Sequence, residues 1–249
     1  MASDAELIRR AEDLLERSKR RNMLTHSLFL TPAEQYDLNT HFANRADCRM
    51  VMSGGFKAAE RKIAFFLPEW YEESEPANEC IKAVELIPGF GHPGHRDYLG
   101  SVLALGIKRE WIGDIVINDD RSFIICLDSV QDTIILDLDH VSRFGVKRSP
   151  IYLEQIPEPI IKKKEMTFTV QSPRLDSIAG SIFGISRSLA AKMISEGIVS
   201  YNYSICTSAS TSVKSGDVIS IRGKGKGIVT SMGGLSKKGR LYITAELYL

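Results

Sequence analysis

The sequence predicts an α+β protein in three segments: an N-terminal α/β segment over 1–75, a ferredoxin-like βαββαβ sandwich over 76–160, and a module of two helices on a small sheet over 168–249. Three observations carry that expectation. Apolar residues recur at helical spacing behind two capping-box motifs near the start. Between about 79 and 155, strand-like and helix-like stretches follow the order β-α-β-β-α-β, that of a split-βαβ sandwich. After 168, two short helical patterns give way to strands with two-residue alternation.

Ser3-Asp-Ala-Glu6 opens the first helix, with Leu7, Ala11, Leu14 and Leu15 on its apolar side. Arg17, Lys19, Arg20 and Arg21 then place cations where the dipole favours them. Thr31-Pro-Ala-Glu34 opens a second helix, with Pro32 at its tolerated first position. CRMVMSGGF reads as a strand breaking at Gly54-Gly55, followed by Lys57, Arg61, Lys62 and the apolar IAFFLP. That glycine pair lacks the Lys-Ser/Thr of a phosphate-binding P-loop. The acidic WYEESEPANE marks a boundary. CIKAVELIP predicts a strand, HRDYLGSVLAL a helix stopped by Gly106, and IGDIVI with SFIICL a hairpin around NDDR. Ser129 is expected to cap a helix bearing Val130, Ile134, Leu138 and Val141, and VKRSPIYLEQI forms the last strand. IPEPIIKKKE reads as a linker. Beyond it, Leu175, Ile178, Ala179, Ile182 and Phe183 mark a helix ending at Gly184, and Ser186 caps another that closes at Gly197. IVSYNYSI, SGDVISIRG and GRLYITAELYL predict strands, and no fixed-period repeat is present.

With 43% hydrophobic and 25% charged residues, the 249-residue chain has an ordinary globular composition. No apolar run approaches the roughly 18 residues that span a bilayer, and the start lacks the apolar stretch of a secretory signal, so a cytoplasmic protein is expected. Cys48, Cys80, Cys126 and Cys206 include no C-x-x-C pair and read as reduced thiols, not a disulfide framework or zinc site. The net charge of +1 conceals an asymmetry. From Lys162 onward there are 13 Lys and Arg against 5 Asp and Glu, a balance of +8, whereas residues 1–161 hold 19 against 26, a balance of −7. A basic half of this kind points to nucleic acid.

The stretch SRSLAAKMISEG carries the sharpest signal. Leu189, Ala190, Met193 and Ile194 share one helical face, while Arg187, Ser188, Ala191, Lys192 and Ser195 share the other. Small residues let a phosphate backbone approach, first-turn N–H groups beside Ser186 and Ser188 donate to it, and Arg187 and Lys192 add charge. An ordinary amphipathic surface helix fits the same pattern equally well. Arg222-Gly-Lys224-Gly-Lys226-Gly adds three cations on an adaptable backbone, and Lys237, Lys238 and Arg240 add three more at an expected hairpin.

The C-terminal eighty residues resemble the RNA-binding domain named after ribosomal small-subunit protein four, hereafter the S-four domain. The matching elements are Arg174-Leu175-Asp176, Ser186-Arg187-Ser188, Lys192 through Gly197, Val199, Asn202 and Gly216-Asp217-Val218-Ile219. The resemblance implies RNA contacts from Arg174, Ser186, Arg187, Ser188, Lys192 and Asn202, joined by the basic Arg222, Lys224 and Lys226. Tyr203 departs from relatives that often carry Gly or Lys there.

GHRDYLGSVLALGIKREWIGDI spells the first letters of a kinase catalytic loop. A kinase needs an Asn five positions after the Asp, where this chain has Val102, so kinase chemistry is excluded. Asp97 is expected as a helix cap or salt-bridge partner. His92 and His95 have no evident third ligand, so neither a metal nor a cofactor is expected. GGFKAAERKIAFFLP, His95-Arg96-Asp97-Tyr98-Leu99-Gly100, Leu105-Gly106-Ile107, Arg109, Ile112-Gly113-Asp114 and the S-four region together resemble the YlmH family, found beside cell-division genes in bacteria and among photosystem-associated S-four proteins. The resemblance implies a non-enzymatic protein that binds structured rRNA or tRNA on the large ribosomal subunit, in translation or ribosome rescue and quality control; a monomer is expected. Its compartment would be the bacterial cytoplasm or the plastid stroma.

Around the thin face of Gly100 and Ala104, His95, Arg96, Lys108 and Arg109 form either a second RNA surface, which is favoured, or a packing seam against the N-terminal segment. Two rival functions stand. One is an RNA-modifying enzyme, but a pseudouridine synthase needs a catalytic Asp outside the S-four helix, and a methyltransferase needs a Gly-rich G-x-G-x-x-G cofactor loop after a strand, and no such loop is expected here. The other is an interaction adaptor in cell division or photosystem biogenesis.

Overall fold

The computed structural model describes residues 2–72, 76–118, 120–158 and 163–248, which divide into a unit ending at 159 and a second beginning at 160. The first unit opens with α1 (Ala2–Arg21), β1 (Thr25–His26), α2 (Pro32–Phe42), β2 (Met50–Ser53) and β3 (Ile63–Phe66). The Thr31 hydroxyl accepts the Glu34 N–H at 3.4 Å while the Glu34 carboxylate accepts the Thr31 N–H at 2.7 Å, so α2 begins with the expected reciprocal cap. The Ser3 cap expected for α1 lies outside the described side chains. β3 runs between β1 and β2, and all four of its residues are buried. Strand alternation explains why IAFF contains no polar residue. Ala64 and Phe66 pack with Ala11, Leu15, Leu38 and Phe42 of the two helices, whereas Ile63 and Phe65 join the core of the following sandwich.

That sandwich comprises α3 (Ala77–Cys80), β4 (Ile81–Pro88), α4 (His95–Ala104), β5 (Ile112–Asn118), β6 (Arg121–Leu127), α5 (Asp128–Asp137), β7 (His140–Val141) and β8 (Phe144–Ile151). Its antiparallel sheet has the order β5-β6-β4-β8-β7, so β6 separates β4 from β5 as a split-βαβ arrangement requires, and β7 extends one edge. Tyr98 and Val102 of α4 and Val130 and Ile134 of α5 bury the helical side. α5 starts two residues earlier than the sequence suggests. Leu127 holds its cap position without a side-chain bond, so Ser129 is not the cap. Every residue of β6 after Arg121 is buried, which means both of its faces are covered.

The second unit contains β9 (Lys163–Val170), α6 (Leu175–Ile182), α7 (Arg187–Ser195), β10 (Val199–Tyr201), β11 (Ser204–Ile205), β12 (Val218–Ile221), β13 (Gly225–Leu235) and β14 (Leu241–Tyr248). Its six strands take the order β11-β10-β12-β13-β14-β9. Ile178, Ala179 and Ile182 of α6 and Ala190 and Ile194 of α7 pack with Val199, Ile219, Val229 and Ile243 from the sheet. Two stretches differ from expectation. Lys163 and Lys164, read as linker, begin β9 and pair with Tyr248 and Leu247. Gly225 and Lys226, read as flexible loop, belong to β13.

Candidate nucleic-acid interface

The first turn of α7 is built as the sequence suggests. The Ser186 hydroxyl accepts the Leu189 N–H at 3.2 Å and lies 3.0 Å from the Ser188 hydroxyl. What the sequence did not announce is the role of Asp176, on the first turn of α6. Its side chain is only 5% exposed, and both arginines of the expected site converge on it. Arg174 donates through Nε at 3.2 Å and through a terminal nitrogen at 2.9 Å; Arg187 donates at 3.2 Å. Burial pushes the Asp176 pKa up, but the hydrogen bonds and charges of Arg174 and Arg187 outweigh it and hold the carboxyl below its ordinary value. The two arginine side chains remain 37% and 59% exposed respectively, and each guanidinium has donors beyond those it gives Asp176.

Arg187 also lines an open groove with Gln171, Ser177, Gly180, Ser181, Ile185, Lys238 and Arg240. The small side chains of α6 form one wall, and the β13–β14 hairpin supplies two cations opposite. Arg240 is held by donating to the Thr169 carbonyl at 2.7 Å. Lys192 lies farther along α7, exposed, with its ammonium 3.8 Å from Glu196.

The other expected contacts do not converge on this groove. Asn202 and Tyr203 adopt φ of 46° and 68° in the β10–β11 turn. The Asn202 amide donates to Asp217 at 2.9 Å and accepts the Val218 N–H at 2.9 Å, so that side chain holds the turn itself. Arg222 and Lys224 are exposed at the β12–β13 turn, and Lys226 sits 5.1 Å above the Tyr248 ring. The eleven residues of β13 separate this turn from the Lys237–Arg240 hairpin, a reach of about 30 Å at strand rise. The basic unit therefore presents two cation groups at opposite ends of one strand.

In the first unit, the HRD stretch divides into two halves. His95 and Arg96 are exposed on the first turn of α4, where Asp97 accepts the Gly94 N–H at 2.8 Å as a cap. Lys108 is exposed, 5.8 Å from the Trp111 ring. Arg109 departs from the expected surface: it is half-buried and donates to the Ile112 carbonyl at 2.6 Å and the Gly113 carbonyl at 3.1 Å. Arg61 donates to the Ile112 and Phe29 carbonyls at 3.2 and 2.8 Å, and Asp114 accepts the Glu60 N–H at 2.6 Å. Burial lowers the Arg109 pKa and raises that of Asp114. A Cβ on Gly113 would lie 2.7 Å from the Phe29 ring. The second half of the motif is thus a seam that clamps the N-terminal layer onto the sandwich.

Gly89, Gly91 and Gly94 do stand in G-x-G-x-x-G spacing between β4 and α4, correcting the expectation that no such loop follows a strand. They do not make a dinucleotide fingerprint. The strands β4 and β5 are not neighbours, and the Asp97 carboxylate occupies the N–H that an incoming phosphate would use. Among the described residues, no three His, Cys, Asp or Glu side chains group as a metal site needs.

Comparison with known proteins agrees with this layout. Residues 3–67 match the family model "YlmH, N-terminal", residues 83–155 match "Putative RNA-binding domain in YlmH", and residues 174–219 match "S4 domain". The chain is 31% identical over 220 residues to the ribosome-associated protein quality control protein P2 of Bacillus subtilis (strain 168), covering 88% of this chain and 85% of that protein. The solved cell division protein YlmH of Streptococcus pneumoniae shares the fold at a TM-score of 0.53 with 19% identity, over 63% of this chain and 96% of that one. With three family models matched along the chain and a relative 31% identical over most of both lengths, the chain belongs to the YlmH family.

Proposed function

We propose that this protein is a non-catalytic factor that grips structured rRNA or tRNA, acting on the large ribosomal subunit during translation or its rescue. The observation that carries the reading is the groove at α7: Arg187, held by the buried Asp176, lines it together with Lys238, Arg240 and the small side chains of α6. Cations around an open groove lined by Ser and Gly, with Arg187 and Arg240 held by hydrogen bonds, suit a phosphate backbone, and such contacts position an RNA without reading its sequence. The B. subtilis relative is described as ribosome-associated and as serving protein quality control, which supports the ribosome as the place of action.

Co-sedimentation of the full chain with purified ribosomal subunits across a salt series tests the reading. Binding to large subunits should fall steeply with salt. Lys238→Glu, at an exposed groove position, should weaken it about tenfold or more near 0.1 M salt and flatten the salt slope by about one or two. Equal binding by wild type and Lys238→Glu would remove the groove from the interface. Absence of the wild type from subunit fractions would remove the ribosome from the proposal.

A further inference from the structure

We infer that the β4–α4 loop of the first unit holds an unpaired nucleobase by stacking on Phe90, beside a phosphate-binding cluster of Arg96 and Arg143. The inference rests on the RNA-binding reading above but uses a different unit and a different contact. Sandwiches of this topology offer bases an open sheet face. Here β6 is buried on both faces, and Phe29 and Phe65 of the N-terminal layer join the sandwich core, so stacking surface has to come from a loop.

The loop is anchored on both sides of Phe90. The Gly89 N–H donates to the Gly145 carbonyl at 2.9 Å. Gly91 has φ of +71°, and a Cβ there would meet the Phe144 ring at 2.4 Å, so the chain lies flat against that ring and only glycine fits. Phe90 is thereby lifted to 65% exposure, with its ring centroid 5.3 Å from that of Phe144 at 70°. Arg143 places its guanidinium carbon 5.2 Å from the Phe144 centroid. An aromatic ring already fixed in place loses little further freedom when a planar ligand stacks on it.

The charge around the ring selects the ligand. His92, His95 and Arg96 follow on the same loop and the first turn of α4, and Arg143 comes from the β7–β8 turn. Of the acids there, Asp97 caps α4 and Asp120 lies 3.9 Å from His92. An exposed aromatic ring on a loop that carries exposed cations, with Arg143 on the neighbouring Phe144 ring, matches a base joined to its phosphates, and stacking of this kind tolerates any base. An apolar protein partner would leave those cations without a counterpart.

Tryptophan fluorescence of the full-length Phe90→Trp protein tests this, with the wild type supplying the baseline from Trp70 and Trp111. A hexameric oligoadenylate should quench the added emission, whereas an abasic backbone of the same length should not. Phe90→Ala should bind oligoadenylate about tenfold more weakly than wild type, while Phe90→Trp retains affinity. Because Phe90 is largely exposed, an unchanged melting temperature in each variant separates lost stacking from lost folding. Equal binding of oligoadenylate by wild type and Phe90→Ala, or equal quenching by the abasic strand, would overturn the inference even if the protein co-sediments with large subunits. Base-dependent quenching in a protein that ignores ribosomal subunits would uphold the stacking site while removing its ribosomal setting.

Discussion

Asp176→Asn separates the two duties of the α6–α7 site. The carboxylate accepts three hydrogen bonds, at 2.9, 3.2 and 3.2 Å, from two guanidiniums. Asparagine keeps one acceptor oxygen and removes the charge. Hydrogen bonds to charged groups each contribute about 1.5–3 kcal/mol when buried. Both arginines reach solvent, so the loss is discounted toward about 1 kcal/mol per bond. It stays below the roughly 3–5 kcal/mol of breaking a fully buried pair, because no charge is left stranded. A loss of about 2–3 kcal/mol follows, which for a unit of this size lowers its melting temperature by roughly 10–20 °C. Hydrogen exchange read peptide by peptide should show faster exchange across 174–195, with 25–66 unchanged. RNA binding should weaken although the variant is more positive by one charge, because Arg187 is no longer aimed across the groove. Unchanged protection in 174–195, or tighter RNA binding that follows net charge alone, would refute Asp176 as the organiser of the site.

Gly113→Ala should force the Phe29 ring aside from a 2.7 Å contact and destabilise the first unit by about 1–3 kcal/mol, seen as faster exchange in 25–30 and 60–66 with RNA affinity unaltered. Acid should act on the two units with opposite signs at their buried carboxylates. Asp176 has a folded pKa below its ordinary value, so its contribution is complete above that value and is lost as pH falls through the folded pKa. Asp114 is raised by burial, so its contribution is complete below the ordinary value and is lost as pH rises through the folded pKa. Pepsin at about pH 3 should therefore nick 174–195 before 107–116, and the reverse order would contradict the assignment.

Much of this arrangement is legible in the sequence because it depends on short-range chemistry. The Thr31–Glu34 box, the Ser186 cap, the βαββαβ order and the two-faced α7 all follow from residues within a few positions of each other. The features that escape depend on partners far along the chain. Arg109 and Arg96 look alike in a string, yet one ends on buried carbonyls, beside Arg61 from about fifty residues earlier, while the other points to water. β9 reads as linker because it starts with lysines, which an edge strand tolerates and which deter pairing with other chains. The glycines of β13 carry weak strand preference, and pairing with β12 and β14 overrides it. Asp176 hides for another reason: within R-L-D it resembles any helix-start acid until Arg187 arrives from the next helix.

The acids of the second unit decide what its positive balance means. Four of the five are engaged: Asp176 by Arg174 and Arg187, Glu246 by Lys163, Glu196 by Lys192, and Asp217 by the Lys214 N–H and the side chains of Tyr201 and Asn202, while Glu165 lies exposed on β9. These contacts fix strand edges, a turn and the α6–α7 pair. Among the described residues, no carboxylate lies within ion-pair distance of Arg222, Lys224, Lys237, Lys238 or Arg240. These cations gather at the two ends of β13, where like charges repel and destabilise the fold. A surface selected for solubility alone would intersperse both signs. Each cluster gains on meeting an array of phosphates, because counterions are released and repulsion is relieved together. Spacing the clusters along one strand suits a structured RNA whose backbone reaches both ends, more than a short flexible strand gripped at one point.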